Sequence, residues 1–212
     1  MSKFVLIDGH SILNRAFYGV PIFTNSEGLH TNAVFGFLNI MFKIIDSKQP
    51  DYMAVAFDVH QPTFRHEMFK DYKGTRKPMM EELREQVPVI KELLQKMNIT
   101  TVELPGYEAD DVIGTLSKEG EKAGMEVDVI SGDRDLLQLA SDHITICIPK
   151  TKKGQTTVEE YNTEGVKELY KVTPTEFIDV KALMGDSSDN IPGVPGIGEK
   201  GATAIISQFG SI

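Results

Sequence analysis

One cysteine, Cys147, is present among 212 residues. No internal disulfide can form, and the apolar run around it, Ile144–Ile148, reads as a strand that buries a thiol. With no secretory leader at the start, this cysteine usage points to the cytoplasm. No apolar run approaches the roughly 18 residues that cross a membrane. The first run after Met1-Ser2-Lys3 is only Phe4–Ile7. Internal repeats and low-complexity segments are absent. No His or Cys spacing resembles a zinc site, so His10, His60, His66 and Cys147 read as structural. Nothing in the order of residues indicates a Ser–His–Asp arrangement. Positive charge is scarce: 22 Lys and Arg stand against 31 Asp and Glu, a net charge of −9. Taken alone, that balance argues against a nucleic-acid surface.

The acids, however, are placed. Pro105-Gly106-Tyr107-Glu108-Ala109-Asp110-Asp111 puts three carboxylates at the start of a helix that ends near Gly120–Gly124. The helix dipole stabilises acids in a first turn, which accounts for one or two of them. It does not account for acids that recur where strands end. Phe4–Ile7 runs into Asp8, Met53–Phe57 into Asp58, and Val127–Ile130 into Asp133 and Asp135. In an open α/β sheet, ligands sit beyond the carboxyl ends of the strands. Parallel neighbours would therefore bring these acids together beside Glu108, Asp110 and Asp111. So many like charges repel unless cations neutralise them, and an all-oxygen set suits Mg²⁺ or Mn²⁺.

A hydrophobic content of 41% gives one substantial domain, or one domain with a small appended module. The strands read as Phe4–Asp8, Tyr52–Phe57, Thr100–Glu103, Val127–Ile130 and Ile144–Ile148. Helices read as Ser11–Phe17, a long one capped at Thr31-Asn32 and running to about Ser47, Met80–Met97 bent or broken near Pro88, and Arg134–Ala140. Lys152–Thr157, with Gly154 at its turn, reads as a hairpin. From Thr163 the chain turns helical, with Phe177–Met184 and Gly201–Phe209. Strands alternating with helices imply a mostly parallel sheet flanked by helices.

Three further stretches carry chemistry. Phe64–Lys77 interleaves Phe64, Phe69 and Tyr72 with Arg65, Lys70, Lys73, Arg76 and Lys77, and reads as a mobile segment. Rings of this kind stack on unpaired bases while cations follow phosphates, though a solvated charged surface has the same composition. An acidic strip beside a basic one suits metal-assisted chemistry on a phosphate polyanion. Gly193, Gly196 and Gly198 sit between two helices, with Lys200 opening the second. Such glycines either cap helices or let a backbone approach phosphate closely, as in a helix–hairpin–helix. Asp186 and Asp189 precede that turn in a loop whose composition is also that of an ordinary turn.

Taken together, Ile7-Asp8-Gly9-His10, Ala56-Phe57-Asp58, Phe64-Arg65-His66-Glu67, Tyr72-Lys73-Gly74-Thr75-Arg76, Gly106–Asp111, Gly132-Asp133-Arg134-Asp135, Gly185–Asn190 and Gly193–Lys200 resemble the 5′ nuclease domain of bacterial DNA polymerase I, in the flap endonuclease superfamily. The resemblance runs through the whole chain in order. It implies a PIN-like 5′ nuclease fold in two parts. A nuclease core would span 1–170, with an arch near 62–98, and a helix–three-turn–helix region would span 171–212.

The resemblance also implies roles. Asp8, Asp58, Glu108, Asp110 and Asp111 would serve one Mg²⁺, and Asp133, Asp135, Asp186 and Asp189 a second, some through water, with Mn²⁺ able to substitute. Tyr72, Lys73 and Arg76 match the base of the arch and are the expected catalytic groups besides the metals. Arg65, Lys77, Gly193, Gly196, Ile197, Gly198 and Lys200 would contact DNA, and the glycine turn can also hold K⁺. The expected reaction is phosphodiester hydrolysis at a 5′ end, or at a 5′ flap on nicked or branched duplex, releasing a 5′-phosphate. In such a site one metal lowers the pKa of a bound water and the other stabilises the leaving 3′ oxygen. The expected setting is primer removal and repair, with polymerase domains natively fused, no membrane and no obligatory protein partner. The family domain continues past this last helix, so a chain stopping at Ile212 reads as truncated. Two alternatives stay open: a junction-binding module that does not cut, and a metal-dependent nuclease or phosphotransferase of another α/β family, because Asp133-x-Asp135 with an upstream Glu108 is also a Toprim-like pattern.

Overall fold

The computed structural model describes residues 1–152 and 155–212. In chain order the elements are β1 (Lys3–Asp8), α1 (Gly9–Gly19), α2 (Asn32–Lys48), β2 (Tyr52–Ala56), α3 (Phe64–Met68), α4 (Glu81–Arg84), α5 (Gln86–Lys96), β3 (Thr100–Val102), α6 (Ala109–Lys122), β4 (Glu126–Ile130), a 3-10 helix (Arg134–Leu139), β5 (Ile144–Lys152), β6 (Gln155–Tyr161), α7 (Thr163–Tyr170), α8 (Pro174–Met184) and α9 (Glu199–Phe209). The strands form one sheet in the order β3-β2-β1-β4-β5-β6. All neighbours run parallel except β5 and β6. The hairpin expected at Lys152–Thr157 corresponds to this antiparallel pair, but its turn at Gly154 lies outside the described residues.

Strand alternation splits the core. Val5 and Ile7 face one side, under α1, α2 and α5, while Leu6, Val127 and Val129 face the other, under α6 to α9. A sheet covered on both faces needs the apolar strands seen here. From β1 the chain crosses first to β2 on one side and later to β4 on the other. The crevice between those crossovers opens at the carboxyl ends of β1 and β4.

Local structure departs from the sequence reading in three places, while Met80–Met97 is two helices broken at Glu85, near Pro88 as expected. Pro88 falls in the first turn of α5, where its missing N–H is not needed. Thr31 makes no side-chain cap on α2. Gln86, fully buried, supplies one instead: its Oε1 accepts from the N–H groups of Ala33 and Val34 at 2.8 and 3.1 Å. Arg134–Leu139 is a 3-10 helix rather than an α-helix. Phe64–Lys77 is not a loose segment. It carries α3, is held by its basic side chains on the acidic cluster, and buries Tyr72 to 5% exposure. Among the described residues no helix is long and apolar enough to cross a membrane.

Candidate metal and phosphate site

A cavity of about 970 Å³ lies at the crevice, and eight of the nine expected metal carboxylates line it. Each is placed by backbone it also serves. Asp8 ends β1 and caps α1: the Ser11 N–H donates to Oδ1 at 3.0 Å, and the Ser131 hydroxyl donates to Oδ2 at 2.8 Å. Asp58, just beyond β2, accepts from the Ala109 N–H at 2.8 Å. Glu108 is the N-cap of α6, and the Asp111 carboxylate accepts from the Glu108 N–H at 2.9 Å. Asp133 accepts from the Asp135 N–H at 2.8 Å and so opens the 3-10 helix. Helix starts offer unpaired N–H groups, which is why short strand-to-helix junctions gather acids at one edge. Asp186 is the ninth carboxylate and does not line the cavity.

The carboxylates divide by their counter-ions. Around the rim they are neutralised. Arg65 forks onto Asp111 at 2.7 and 2.8 Å, and Lys73 meets Glu108 at 2.7 Å. Arg76 pairs with Asp189, and its Nε donates to the Ser188 carbonyl at 3.1 Å. Lys181 joins Asp135 and Asp186 at 2.8 and 2.7 Å. Burial pushes the Asp111 and Asp186 carboxyls up, but these bonds outweigh it and hold both below the ordinary carboxylate value. At the centre, Asp8, Asp58, Asp110 and Asp133 have no Lys or Arg within ion-pair distance among the described residues. Burial raises Asp8 to about 6, against its bonds to Ser11 and Ser131, with Asp58 and Asp133 adding to the rise. Burial likewise lifts Asp110 well above its ordinary value, reinforced by Asp8, Asp133 and Asp58.

An uncompensated, oxygen-only acid cluster fits a hard divalent cation, which would relieve the repulsion. No three acids, histidines or cysteines among the described residues are drawn into a ready-made cage. The two expected metal sets also share a border. The Asp133 charge repels those of Asp8 and Asp110, while the Tyr72 hydroxyl lies 3.0 Å from Glu108 and 3.1 Å from Asp189.

Tyr72 corrects one expectation. Its ring is buried and cannot stack on a base, and its hydroxyl ties two carboxylates instead. Phe64 and Phe69 remain 38% exposed. Lys73 and Arg76 do face the cavity, and so does His10, read from sequence as structural. The His10 Nδ1 accepts from the Asp58 N–H at 3.1 Å. Burial pushes its pKa down, more than Asp58 raises it. Lys181 was invisible to sequence reading because a lysine in a last helical turn is also an ordinary C-terminal cation.

The glycine turn sits apart from the cavity. A Cβ on Gly193 would meet backbone atoms of Met184 and Gly185 within 2.5 Å, so this glycine is required by packing. Gly196 takes φ +82 with open space around it. Gly198 is exposed and extended, and a Cβ there would meet nothing within 4 Å. Ile197 packs partly into the core, whereas Lys200 and Lys77 are exposed.

A family model described as the 5′-3′ exonuclease N-terminal resolvase-like domain matches residues 3–171. One described as the 5′-3′ exonuclease C-terminal SAM fold matches residues 172–212. Over 210 residues the chain is 54% identical to DNA polymerase I of Bacillus caldotenax and 54% identical to that of Bacillus subtilis (strain 168). Each match covers 99% of this chain and 24% of the relative, so the chain spans about a quarter of their length. Among solved structures, a bacteriophage T5 protein co-crystallised with metal ions aligns with a TM-score of 0.78 at 28% identity, over 99% of this chain and 76% of that one. A bacteriophage T5 flap endonuclease, in a pseudo-enzyme-product complex with DNA and metal ions, aligns with the same score, identity and coverage.

Proposed function

The chain belongs to the 5′-3′ exonuclease family, and from that premise we propose that it hydrolyses DNA phosphodiesters at 5′ ends and 5′ flaps using two divalent cations, Mg²⁺ in the first instance. The observation that carries this reading is the pairing of uncompensated central acids with cationic arch residues around one cavity. Asp8, Asp58, Glu108, Asp110 and Asp111 would hold one ion, and Asp133, Asp135, Asp186 and Asp189 the other. Bound there, such ions activate water and stabilise a leaving oxygen. The chain's own groups do the rest. Tyr72 holds Glu108 beside Asp189. Lys73 and Arg76, paired with Glu108 and Asp189 on the cavity lining, would stabilise charge on a phosphate held there. Arg65 keeps Asp111 and the start of α6 in place.

The division into a core over 1–170 and a binding region over 171–212 is part of the proposal. The turn at Gly196–Gly198, with Lys77 and Lys200, would follow the duplex backbone, and carbonyls of that turn can hold K⁺. A role in primer removal and repair is part of the same proposal, and the likeness to part of DNA polymerase I supports it. The test is cleavage of a labelled 5′-flap substrate in Mg²⁺, with and without EDTA, and mapping of the product ends. Asp135→Asn is expected to abolish cutting while sparing DNA binding. Normal cutting by that variant would refute the metal assignment, and EDTA-resistant cutting would refute the whole reading.

A further inference from the structure

The function proposed above uses acids and cations and leaves one side chain of the cavity without a task. His10, in the first turn of α1, lines the cavity beside Asp58. Its ring is held in one orientation. The buried Phe57 ring packs edge-on against it, with centroids 5.4 Å apart. The Asp58 N–H donates to Nδ1 at 3.1 Å, while the Asp58 Oδ2 stands off at 3.5 Å. A ring nitrogen that accepts from an N–H carries no proton, so the imidazole is neutral and its hydrogen sits on Nε2. Among the described residues Nε2 has no partner, and it is not a buried atom. The side chain is 21% exposed, and its open donor borders the space that the acids line.

We propose that the His10 Nε2–H is a catalytic donor to a non-bridging oxygen of the phosphate held in the cavity, and that the bond at Nδ1 fixes it there. This rests on the function proposed above and adds a residue to it. The chemistry favours a neutral donor at this place. A lysine or arginine beside Asp58 would be drawn into an ion pair, as Lys73 and Arg76 are with Glu108 and Asp189. An uncharged N–H is not captured in that way and stays open to the cavity. A fixed donor aimed at developing negative charge stabilises the transition state more than the ground state. Because it brings no positive charge, it adds nothing to the salt dependence of DNA binding.

Two variants separate the ring nitrogens. Asparagine offers an acceptor near the Nδ1 position without the far donor. Glutamine offers an amide near the Nε2 position without the near acceptor. Single-turnover cleavage of a 5′-flap substrate is measured at saturating substrate and at saturating Mg²⁺ for each protein. Affinity is measured by fluorescence anisotropy in Ca²⁺ across a KCl series. His10→Asn is expected to keep the wild-type melting temperature, Kd and salt slope, and to cut about a hundredfold more slowly. His10→Gln should melt lower or need more Mg²⁺, because Asp58 loses its brace, yet keep most of the saturated rate. A His10→Asn variant that cuts as fast as wild type would overturn the proposal and leave His10 as a brace for Asp58. Equal losses of rate in both variants would overturn it too. The ring ¹⁵N spectrum of wild type forms a second arm that needs neither variant to fold. It should show Nδ1 bare and Nε2 protonated, with slower exchange of the Nε2 hydrogen when the flap substrate is bound in Ca²⁺. A proton on Nδ1, or unchanged exchange in the complex, in protein that does cut, overturns the proposal alone. If wild type cuts no flap DNA, the functional reading falls and the proposal falls with it.

Discussion

Asp8→Asn should make the metal-free protein more stable. Asp8 is only 5% exposed, and its carboxyl is raised from an ordinary 3.8 to about 6. The folded state therefore holds this proton more tightly than the unfolded chain does. Between about pH 4 and pH 6 the folded protein carries more protons, so stability falls as pH rises through that window and stays low above it. A shift of about two pH units corresponds to roughly 3 kcal/mol. Asparagine removes the charge but retains an oxygen for the Ser11 N–H, and the Ser131 hydroxyl can turn to accept from the amide. Some of the gain is offset by the imperfect exchange, leaving about 1–3 kcal/mol. For a chain of this size that is a rise of roughly 3–10 °C in melting temperature. Scanning calorimetry in EDTA at pH 7.5 measures it, and repeating the scan toward pH 4 should close the gap. Adding Mg²⁺ should then raise the wild type more than the variant, because binding to the folded state alone stabilises it. A variant that melts below wild type in EDTA at pH 7.5, or a gap that ignores pH, would refute the argument that Asp8 is held ionised against its surroundings.

Other outcomes follow from the same geometry. Lys73→Ala should lower the single-turnover rate at saturating flap substrate by about 10²–10³, with little change in Kd measured in Ca²⁺; Lys200→Ala should do the reverse, and a Lys73→Ala variant that loses only affinity would remove Lys73 from the chemistry. Gly198→Val should fold normally, since its Cβ meets open space, yet weaken binding to unrelated duplex sequences alike; equal anisotropy titrations for variant and wild type would exclude backbone approach there. Gln86→Leu should cost about 2–5 kcal/mol in a urea melt, because the Ala33 and Val34 N–H groups and the Asn32 side chain lose a buried partner, and a loss below about 1 kcal/mol would show that water replaces it.

The strands and the acids at their ends were legible because both are local. An apolar run closed by aspartate states its own secondary structure and the position of its side chain, and parallel pairing then assembles Asp8, Asp58 and Asp133. What stayed hidden depends on residues far apart in sequence. Tyr72 looked like a stacking ring, since nothing nearby shows that Glu108 and Asp189 close over its hydroxyl. Thr31 looked like a cap, although the cap arrives from Gln86.

β1 is the first strand of the chain and sits in the middle of the sheet, with Phe4 opposite Tyr52 on one side and Val127 on the other. A strand so placed cannot gain both neighbours until most of the core has left the ribosome, and contacts of this span make folding slow. The strand also runs lengthwise between two different worlds. Lys3, at its outer end, lies about 17 Å from the acidic cavity that Asp8 enters, at roughly 3.3 Å per residue. Tags fused ahead of Lys3 should therefore leave cutting intact, whereas trimming even a few residues beyond it would remove the sheet's keystone rather than its edge.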